Sequence, residues 1–459
     1  MMACGSRSNE MVDEFEKLVI RMNPPRVTVD NASDMTATLV KVDSANKYGT
    51  LLEVVQVLTD LKLTIKRAYI SSDGEWFMDV FHVVDQDGNK LYDGQVIDRI
   101  EQSLGAGSLS FRGTDRCVGV EAEAEEAQTV IELVGRDRPG LLSEVFAVLT
   151  NLRCNIAASE VWTHDGRMAA LVYVTDADTD GGVGGIDDQD RLDKAKRLLR
   201  HVLRGSSRDK KSARAAISAR AVAAPHAQRR LHQMMRADDG NGEGRAAAAD
   251  TGRSLPVVEV EDCAERGYTL VNVRCRDRPK LLFDTVCTLT DMQYVVFHGT
   301  VIAEGSEAYQ EFYIRHLYDG AAPSDEDRER LRRGLEAAIQ RRSTEGLGLE
   351  LCCEDRVGLL SDVTRIFREH GLSVTHAEVE TRGERAANVF YVTTSSGMPV
   401  QAQALEAVRA EIGDEILFVK EDAAASKSPP GRDRSSLGNM IRSRSEKFLF
   451  NLGLIRSCS

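Results

Sequence analysis

One short phrase, written four times, limits what this chain of 459 residues can fold into. In chain order the copies are NKYGTLL (46–52, degenerate), RDRPGLL (136–142), RDRPKLL (276–282) and EDRVGLL (354–360). Each copy follows a short apolar run typical of a strand and opens a helical pattern. The surroundings of the second and fourth copies align without a gap, and so do those of the first and third. The chain therefore reads as a pair of units that has been duplicated.

Units two and four show the same order of elements. In unit two the segments 129–135, 155–163 and 168–175 have strand character, and the leucines and valines of 141–152 recur at helical spacing. HDGR (164–167) has the composition of a hairpin turn. A second helix over 188–203 and a closing strand over 213–219 complete a strand-helix-strand-strand-helix-strand order. This order predicts an α+β fold of tandem ferredoxin-like units.

Units one and three carry an extra strand before the repeated one, RVTVD (26–30) and VVEVE (257–261). The second helix of unit three ends near Arg342 and runs almost directly into unit four, which leaves no room for a closing strand. In a ferredoxin-like sheet the closing strand lies antiparallel beside the first strand. Because an N-terminal hairpin partner fills the same position, we predict that units one and three are circularly permuted.

The domain order that follows is four units, one linker and a tail. We assign unit one to 26–113, unit two to 128–220, a linker to 221–255, unit three to 256–345, unit four to 346–422 and a tail to 423–459. The linker contains one helical piece around QRRLHQMMRA (228–237) and a low-complexity segment (238–252) expected to be mobile. The tail is rich in Ser and Arg and contains an apolar stretch, KFLFNLGLI (447–455), close to its end. Its sequence leaves docking and disorder equally open.

Composition excludes several classes of protein. The net charge of −13 and the aromatic content of 5% weigh against a nucleic-acid binder, even though 206–220 and the tail are basic. We find no apolar run long enough to span a membrane and no secretion signal. Nine cysteines without a C-x-x-C pair favour a reducing compartment, the cytosol or the nucleus. Because no catalytic motif and no metal-ligand spacing occur, we expect no enzyme activity, catalytic residue, cofactor or metal.

The repeated phrase has the chemistry of an amino-acid site. A helix N-terminus presents unpaired amides that attract an anion such as a carboxylate. Gly140, Gly358 and Gly49 allow close approach of a ligand, and Asp137 or Asp355 can face an ammonium group. The alternative is purely structural: Asp before Pro-Gly-Leu-Leu also caps a helix, and arginines beside a turn are often solvated.

The phrase, its helix and the two following strands resemble the ACT domain, a small regulatory module of amino-acid metabolism. Four copies, with CTLTDMQYVVFH (287–298), LCCEDRVGLLSDVTRIFREHGLSVTHAEV (351–379) and the closing KFLFNLGLIRS, resemble the plant ACT domain repeat family. The resemblance implies units that pair within the chain and an effector bound where their strand-helix turns meet. The ligand-binding residues it implies are Asp137, Arg138, Gly140, Leu141, Asp355, Arg356, Gly358 and Leu359, with Asn46 and Gly49 in unit one. Lys280 replaces the Gly of unit three, and Asn-Lys-Tyr replaces Asp-Arg-Pro in unit one, which puts binding there in doubt.

Two functions follow as hypotheses. The first is a non-catalytic regulatory protein that binds a free amino acid and signals through protein partners, with no nucleic acid and no transmembrane segment. The second is a ligand-free scaffold whose units serve only protein-protein interaction, which the altered turns of units one and three favour locally.

Overall fold

A computed structural model describes residues 26–45, 48–72, 76–105, 128–177, 184–205, 213–221, 226–239, 255–263, 267–318, 323–342 and 346–420. The described residues group as one compact unit. The tail and Asn46 lie outside the described residues, so the predictions about them stay predictions.

The described residues form sixteen strands and nine helices in the predicted order. Unit one comprises β1 (Arg26–Asp30), β2 (Thr38–Ala45), α1 (Thr50–Asp60), β3 (Thr64–Ser71), β4 (Trp76–Val84) and α2 (Gly94–Leu104). Unit two comprises β5 (Gln128–Arg136), α3 (Leu141–Asn151), β6 (Cys154–His164), β7 (Arg167–Asp176), α4 (Gln189–Arg204) and β8 (Arg214–Ala221), and helix α5 (Ala227–Asp239) follows it. Unit three comprises β9 (Val257–Cys263), β10 (Tyr268–Arg276), α6 (Leu281–Asp291), β11 (Tyr294–Glu304), β12 (Glu307–His316) and α7 (Asp325–Arg341). Unit four comprises β13 (Leu347–Glu354), α8 (Leu359–Glu369), β14 (Leu372–Arg382), β15 (Arg385–Thr394), α9 (Ala402–Ile412) and β16 (Leu417–Val419).

The units pair side by side into two continuous eight-stranded sheets. The first sheet joins units one and three in the order β1-β2-β4-β3-β11-β12-β10-β9. The second joins units four and two in the order β16-β13-β15-β14-β6-β7-β5-β8. The joints are antiparallel, with Thr300 opposite Tyr69 in the first sheet and Glu378 opposite Glu160 in the second. The expected pairing of units within the chain is thus present.

The strand order confirms the circular permutation of units one and three. Strand β9 pairs antiparallel with β10, with Val257 opposite Arg274 and Glu261 opposite Leu270. Strand β1 pairs with β2 in the same way. Both occupy the edge position that the closing strands β8 and β16 occupy in units two and four. The antiparallel neighbour of the repeated strand can either precede it in the chain or follow at the end of the unit. The sheet is therefore the same in the permuted and the unpermuted units.

Each sheet buries one face under its helices. Helices α1 and α6 pack together on the first sheet, and α3 and α8 pack together on the second. The apolar stripes of these helices meet the alternating apolar residues of the strands, as the period of each pattern requires. Phe81 and Phe312 are fully buried in the first core, and Phe146 and Phe390 in the second.

Helix α5 covers the opposite face of the second sheet. Leu231, Met234 and Met235 are buried there against Trp162 and neighbouring residues of β5 and β7. The outer surface of α5 is tied to the helices of unit three, where Arg229 Nη2 lies 3.1 Å from Asp291 Oδ1. The helical piece expected in the linker therefore exists, and it is a packed element that connects the two sheets.

Strand β4 buries a carboxylic acid, and this predicts a pH-dependent stability. Asp79 is 1% exposed, accepts a hydrogen bond from the backbone N–H of Ser71 at 3.2 Å, and burial raises its pKa from 3.8 to about 7. Below pH 4 the group is protonated in both states, and as pH rises towards 7 only the unfolded chain loses the proton freely. Stability from this group is therefore lost between about pH 4 and 7. We expect Asp79→Asn, which keeps the acceptor oxygen, to raise the unfolding free energy at pH 8 by about 2–4 kcal/mol.

The pH profile of urea unfolding checks this expectation. Unit four supplies an internal precedent, because Asn388 lies at the equivalent strand position and its Oδ1 accepts from the backbone N–H of Glu380 at 3.3 Å. The variant and the parent should have equal stability near pH 4. An advantage of the variant that is the same at pH 4 and pH 8 would contradict the buried ionisation.

Candidate functional site

All four repeated helices begin after a residue in the left-handed region. The angle φ is +90° at Gly49, +81° at Gly140, +90° at Gly358 and +64° at Lys280. Glycine adopts this conformation without a steric penalty, whereas the Cβ of any other L-residue is crowded. The backbone thus explains why the phrase contains Gly, and Lys280 holds the same geometry as an exception.

Helix capping by the aspartates of the phrase, which the sequence suggested, does not occur in the structure. The N-caps are Gly140 and Gly358, and no described side chain caps either helix. The left-handed turn places three residues between each Asp and the first helical residue. The Asp carboxylate is therefore too far along the chain to act as the N-cap. Each Asp instead anchors its turn to the hairpin of its own unit. The backbone N–H groups of Asp137, Asp277 and Asp355 donate to the carbonyls of Gly166, Ser306 and Glu384 at 2.8, 2.8 and 2.7 Å.

The side-chain carboxyl groups of two of these aspartates have a raised pKa. Burial raises the pKa of Asp137, opposed by the N–H and the charge of Arg138. Burial also raises the pKa of Asp355, opposed by a hydrogen bond from Thr381 Oγ1. A half-buried carboxyl group of this kind gains from a nearby cation, because an opposite charge favours its ionised form.

The arginines of the phrase are paired within their own units. Arg138 forms a bidentate pair with Glu144, at 2.7 and 2.6 Å. Arg356 Nη2 lies 2.5 Å from Asp362 Oδ2, and Arg278 Nη1 lies 2.7 Å from Asp284 Oδ2. The acidic partner is in each case six residues along the chain, on the first helical turn. These arginines therefore hold the turn against the helix, and a ligand carboxylate would compete with an existing partner.

A small cavity, partly open to solvent, lies between the turn of unit two and the start of β14 in unit four; we call it the two–four cavity. Asp137, Arg138, Gly140 and Leu141 line it together with the rest of the first turn of α3. Unit four contributes Phe367 and Arg368 of α8 and the segment 372–374. The structure thus brings together the four predicted residues of unit two, at a helix N-terminus and beside a partner unit.

The predicted residues of unit four occupy a separate place. Asp355, Arg356, Gly358 and Leu359 form the other turn of the pair, and a Cβ built on Gly358 would lie 3.3 Å from Thr150 Cγ2 of unit two. The eight residues therefore belong to two locations that the pairing of units makes equivalent. In unit one, Gly49 has the expected geometry, with open space around a Cβ built on it.

The turn of unit three, where the sequence leaves ligand binding in doubt, lines a second cavity. This cavity is small and partly open to solvent, and Asp277, Arg278 and Lys280 line it opposite Thr59 and the segment 63–65 of unit one; we call it the one–three cavity. Lys280 stands where the Gly was expected, which is why the sequence leaves binding at this turn in doubt. The intact Arg-Asp-Arg-Pro at 276–279 was the signal that could have found it.

Comparisons with known proteins find ACT domains within units one, two and four. The family model of the ACR family N-terminal ACT domain matches residues 33–110, and that of the ACT domain matches 129–183 and 348–413. "ACT domain-containing protein ACR4" from Arabidopsis thaliana is 52% identical over 464 residues, covering 99% of this chain and 100% of the relative. This chain belongs to the ACR family of ACT domain-containing proteins.

Other similarities differ in strength. "ACT domain-containing protein ACR5" from Arabidopsis thaliana is 49% identical over 468 residues, with both chains fully covered. A solved "Unknown Protein from Galdieria sulphuraria" is 14% identical, covers 47% of this chain and 90% of its own, and has a TM-score of 0.18, which is too low to bear on the fold. Within the described part of the chain, no helix has both the length and the apolar character needed to cross a membrane.

A buried charge network connects the ACT unit that contains Lys280 to the second sheet. Asp284 is fully buried, and Arg278, Arg342 and His232 surround it, with His232 Nε2 2.8 Å from Asp284 Oδ1. Burial alone would raise the pKa of Asp284, but the two arginines and His232 hold that pKa well below its usual range. Burial lowers the pKa of His232, against the effect of Asp284. The guanidinium of Arg342 lies 4.7 Å from the ring centre of Trp162 in β6.

This network was not predicted from sequence. Its members come from α5, the turn before α6, α6 itself, the C-cap of α7 and β6, and their sequence separations carry no recognisable period. Arg278 belongs both to the network and to the lining of the one–three cavity. The turn of unit three is therefore linked through Asp284 to α5, the helix that connects the two sheets.

Proposed function

We propose that this chain is a non-catalytic regulatory protein that binds free amino acids at the turns between paired ACT units and signals through protein partners. The observation that supports this function most is the position of the two–four cavity, on the first turn of a helix and between two units. A ligand in such a cavity would contact both units and so report its presence to the pair.

The chemistry of the cavity suits a zwitterion. The amides of the first turn of α3 and the positive end of its dipole favour a carboxylate. The carboxyl group of Asp137, whose pKa burial raises, favours an ammonium ion nearby because a cation would stabilise its ionised form. Apolar side chains such as Met168 and Phe367 line the remainder of the cavity.

Amino-acid binding is tested with the full-length chain. All twenty common amino acids are screened at millimolar concentration by thermal shift, and hits are measured by titration calorimetry. A ligand at a hundredfold over its Kd stabilises the binding unit by about 2.7 kcal/mol. Absence of any shift and of any heat would contradict the proposal.

Asp137→Asn identifies the ammonium partner in the two–four cavity. We expect it to weaken binding there about tenfold, because a charge-assisted hydrogen bond becomes a neutral one. Asp355→Asn, in the other turn of the same pair, is the matched control and should leave that binding unchanged. Gly140→Val is less informative because its φ of +81° would strain a β-branched residue and reduce the stability of the turn.

The ligand-free scaffold is the second candidate. It is favoured by the internal pairing of Arg138 with Glu144 and of Arg356 with Asp362, which leaves both guanidinium groups occupied without a ligand. A pull-down from plant extract with and without the amino acid hits separates the two functions. Partner binding that no amino acid alters, together with a negative calorimetric screen, would favour the scaffold.

A further inference from the structure

The two cavities lie at equivalent places in the two sheets. The strand residue that closes the base of each cavity, which we call its floor, differs between them. Met168 lies opposite Gly135 and Thr163 in the second sheet, and Ala308 lies opposite Cys275 and Ala303 in the first. Both line their cavities and both are almost fully buried. Because Ala has only a methyl group where Met has a four-atom side chain, the one–three cavity is less filled at this position.

Because Ala308 is small, the buried side chain of Gln310 lines the one–three cavity. It lies two residues after Ala308, is 2% accessible to solvent and lines the cavity. Its Oε1 is buried, and no hydrogen-bond donor within the described ranges reaches it. The equivalent residue of unit two is Ala170, opposite Leu133 and Val161 as Gln310 is opposite Val273 and Val301.

The other polar residues at this strand position have partners. Asp79 in unit one accepts from the backbone N–H of Ser71, and Asn388 in unit four accepts from that of Glu380. A polar group here is therefore ordinarily satisfied inside its own hairpin. Buried acceptors without a donor are rare in folded proteins and unfavourable, so Gln310 requires an explanation that its own unit does not provide.

We infer that the one–three cavity selects amino acids whose side chains end in a hydroxyl or carboxamide, with the side chain donating a hydrogen bond to Gln310. The two–four cavity, with Met168 on its floor, selects apolar side chains. This inference rests on the proposed amino-acid binding and assigns a different ligand class to each pair of units. A site built around a buried acceptor rejects an analogue without the donor, because the acceptor then stays unpaired.

Matched amino-acid pairs test this selection with the full-length chain. Calorimetry compares Thr with Val, Asn with Leu and Gln with Met, which have similar shapes and differ in hydrogen bonding. The polar member of at least one pair should bind tenfold or more tightly. In Gln310→Met, which keeps the length of the side chain and removes the acceptor, the preference should disappear. Leu198→Ala, at an exposed position of α4 that lines neither cavity, should leave the preference intact.

Two further variants keep the test decisive. Ala308→Met fills the floor without touching Gln310 and should abolish binding of the polar ligand even if Gln310→Met does not fold. Met168→Ala with Ala170→Gln should give the two–four cavity an affinity for that ligand. Binding without a polar preference, or a preference that survives both Gln310→Met and Ala308→Met, would overturn the inference alone. A screen in which no amino acid binds would overturn the proposed function and this inference together.

Discussion

Replacing Asp284 with Asn is expected to lower the free energy of unfolding by about 3–5 kcal/mol. Asp284 is fully buried and is the shared partner of Arg278, Arg342 and His232. Asparagine has nearly the same shape, so the change removes a charge and leaves two buried guanidinium groups without it. An uncompensated buried charge is far more unfavourable than the loss of a contact. Urea unfolding followed by fluorescence measures the effect, and Trp162, 4.8 Å from the His232 ring, reports on this region.

Unit four provides the matched control for this substitution. Asp362 occupies the position equivalent to Asp284, two residues after the repeated phrase. Its pair with Arg356 is exposed, with 44% and 59% of the two side chains accessible. Asp362→Asn should change stability by no more than about 1 kcal/mol, because water screens an exposed ion pair. Equal effects of the two substitutions would show that burial of the network is not what makes Asp284 important.

Leu231→Ala should reduce stability by about 2–5 kcal/mol, although Leu231 lies in a segment expected from sequence to be linker. The side chain is fully buried between α5 and the open face of the second sheet, where Met234, Met235 and Trp162 surround it. Truncation removes apolar contacts and leaves a cavity that the surrounding strands cannot close. Urea unfolding of the full-length chain gives the magnitude.

Undocking of α5 gives a second readout for the same substitution. Trypsin should cleave at Arg229 or Arg230 faster in Leu231→Ala than in the parent chain, because an undocked helix opens to the protease. Leu198→Ala on α4 is the control, since Leu198 is 40% exposed and its truncation should change stability by no more than about 0.5 kcal/mol. Proteolysis of α5 at the same rate in all three chains would contradict a docked helix.

The alternation of apolar residues determined the ferredoxin-like units. Helix α8 was predicted over Leu359–Glu369 and has those bounds, because its apolar spacing and its preceding left-handed Gly358 are both local signals. The permutation of units one and three also followed from the chain alone, since the space available after Arg342 was countable. The pairing of units within the chain followed from the family resemblance.

The candidate site was predicted less completely. Asp137, Arg138, Gly140 and Leu141 do line one cavity, but Asp137 was expected to cap a helix and instead anchors a turn. The left-handed residue between Asp and helix decides this, and the sequence of the phrase is compatible with either geometry. Binding at the turn of unit three was in doubt because Lys280 replaces the expected Gly, whereas in the structure Lys280 adopts the same left-handed φ.

The sequence by itself determined the number of units, their element order and the turns where helices begin, because these depend on residue spacing along one segment. Only the tertiary structure decided that α5 is part of the core, that Asp284 collects three basic partners and that Gln310 faces a cavity without a donor. Each of these depends on residues from separate elements, and their meeting is set by how the sheets pack. Hydrophobic periodicity indicates which face of an element is buried, and packing alone determines what that face meets.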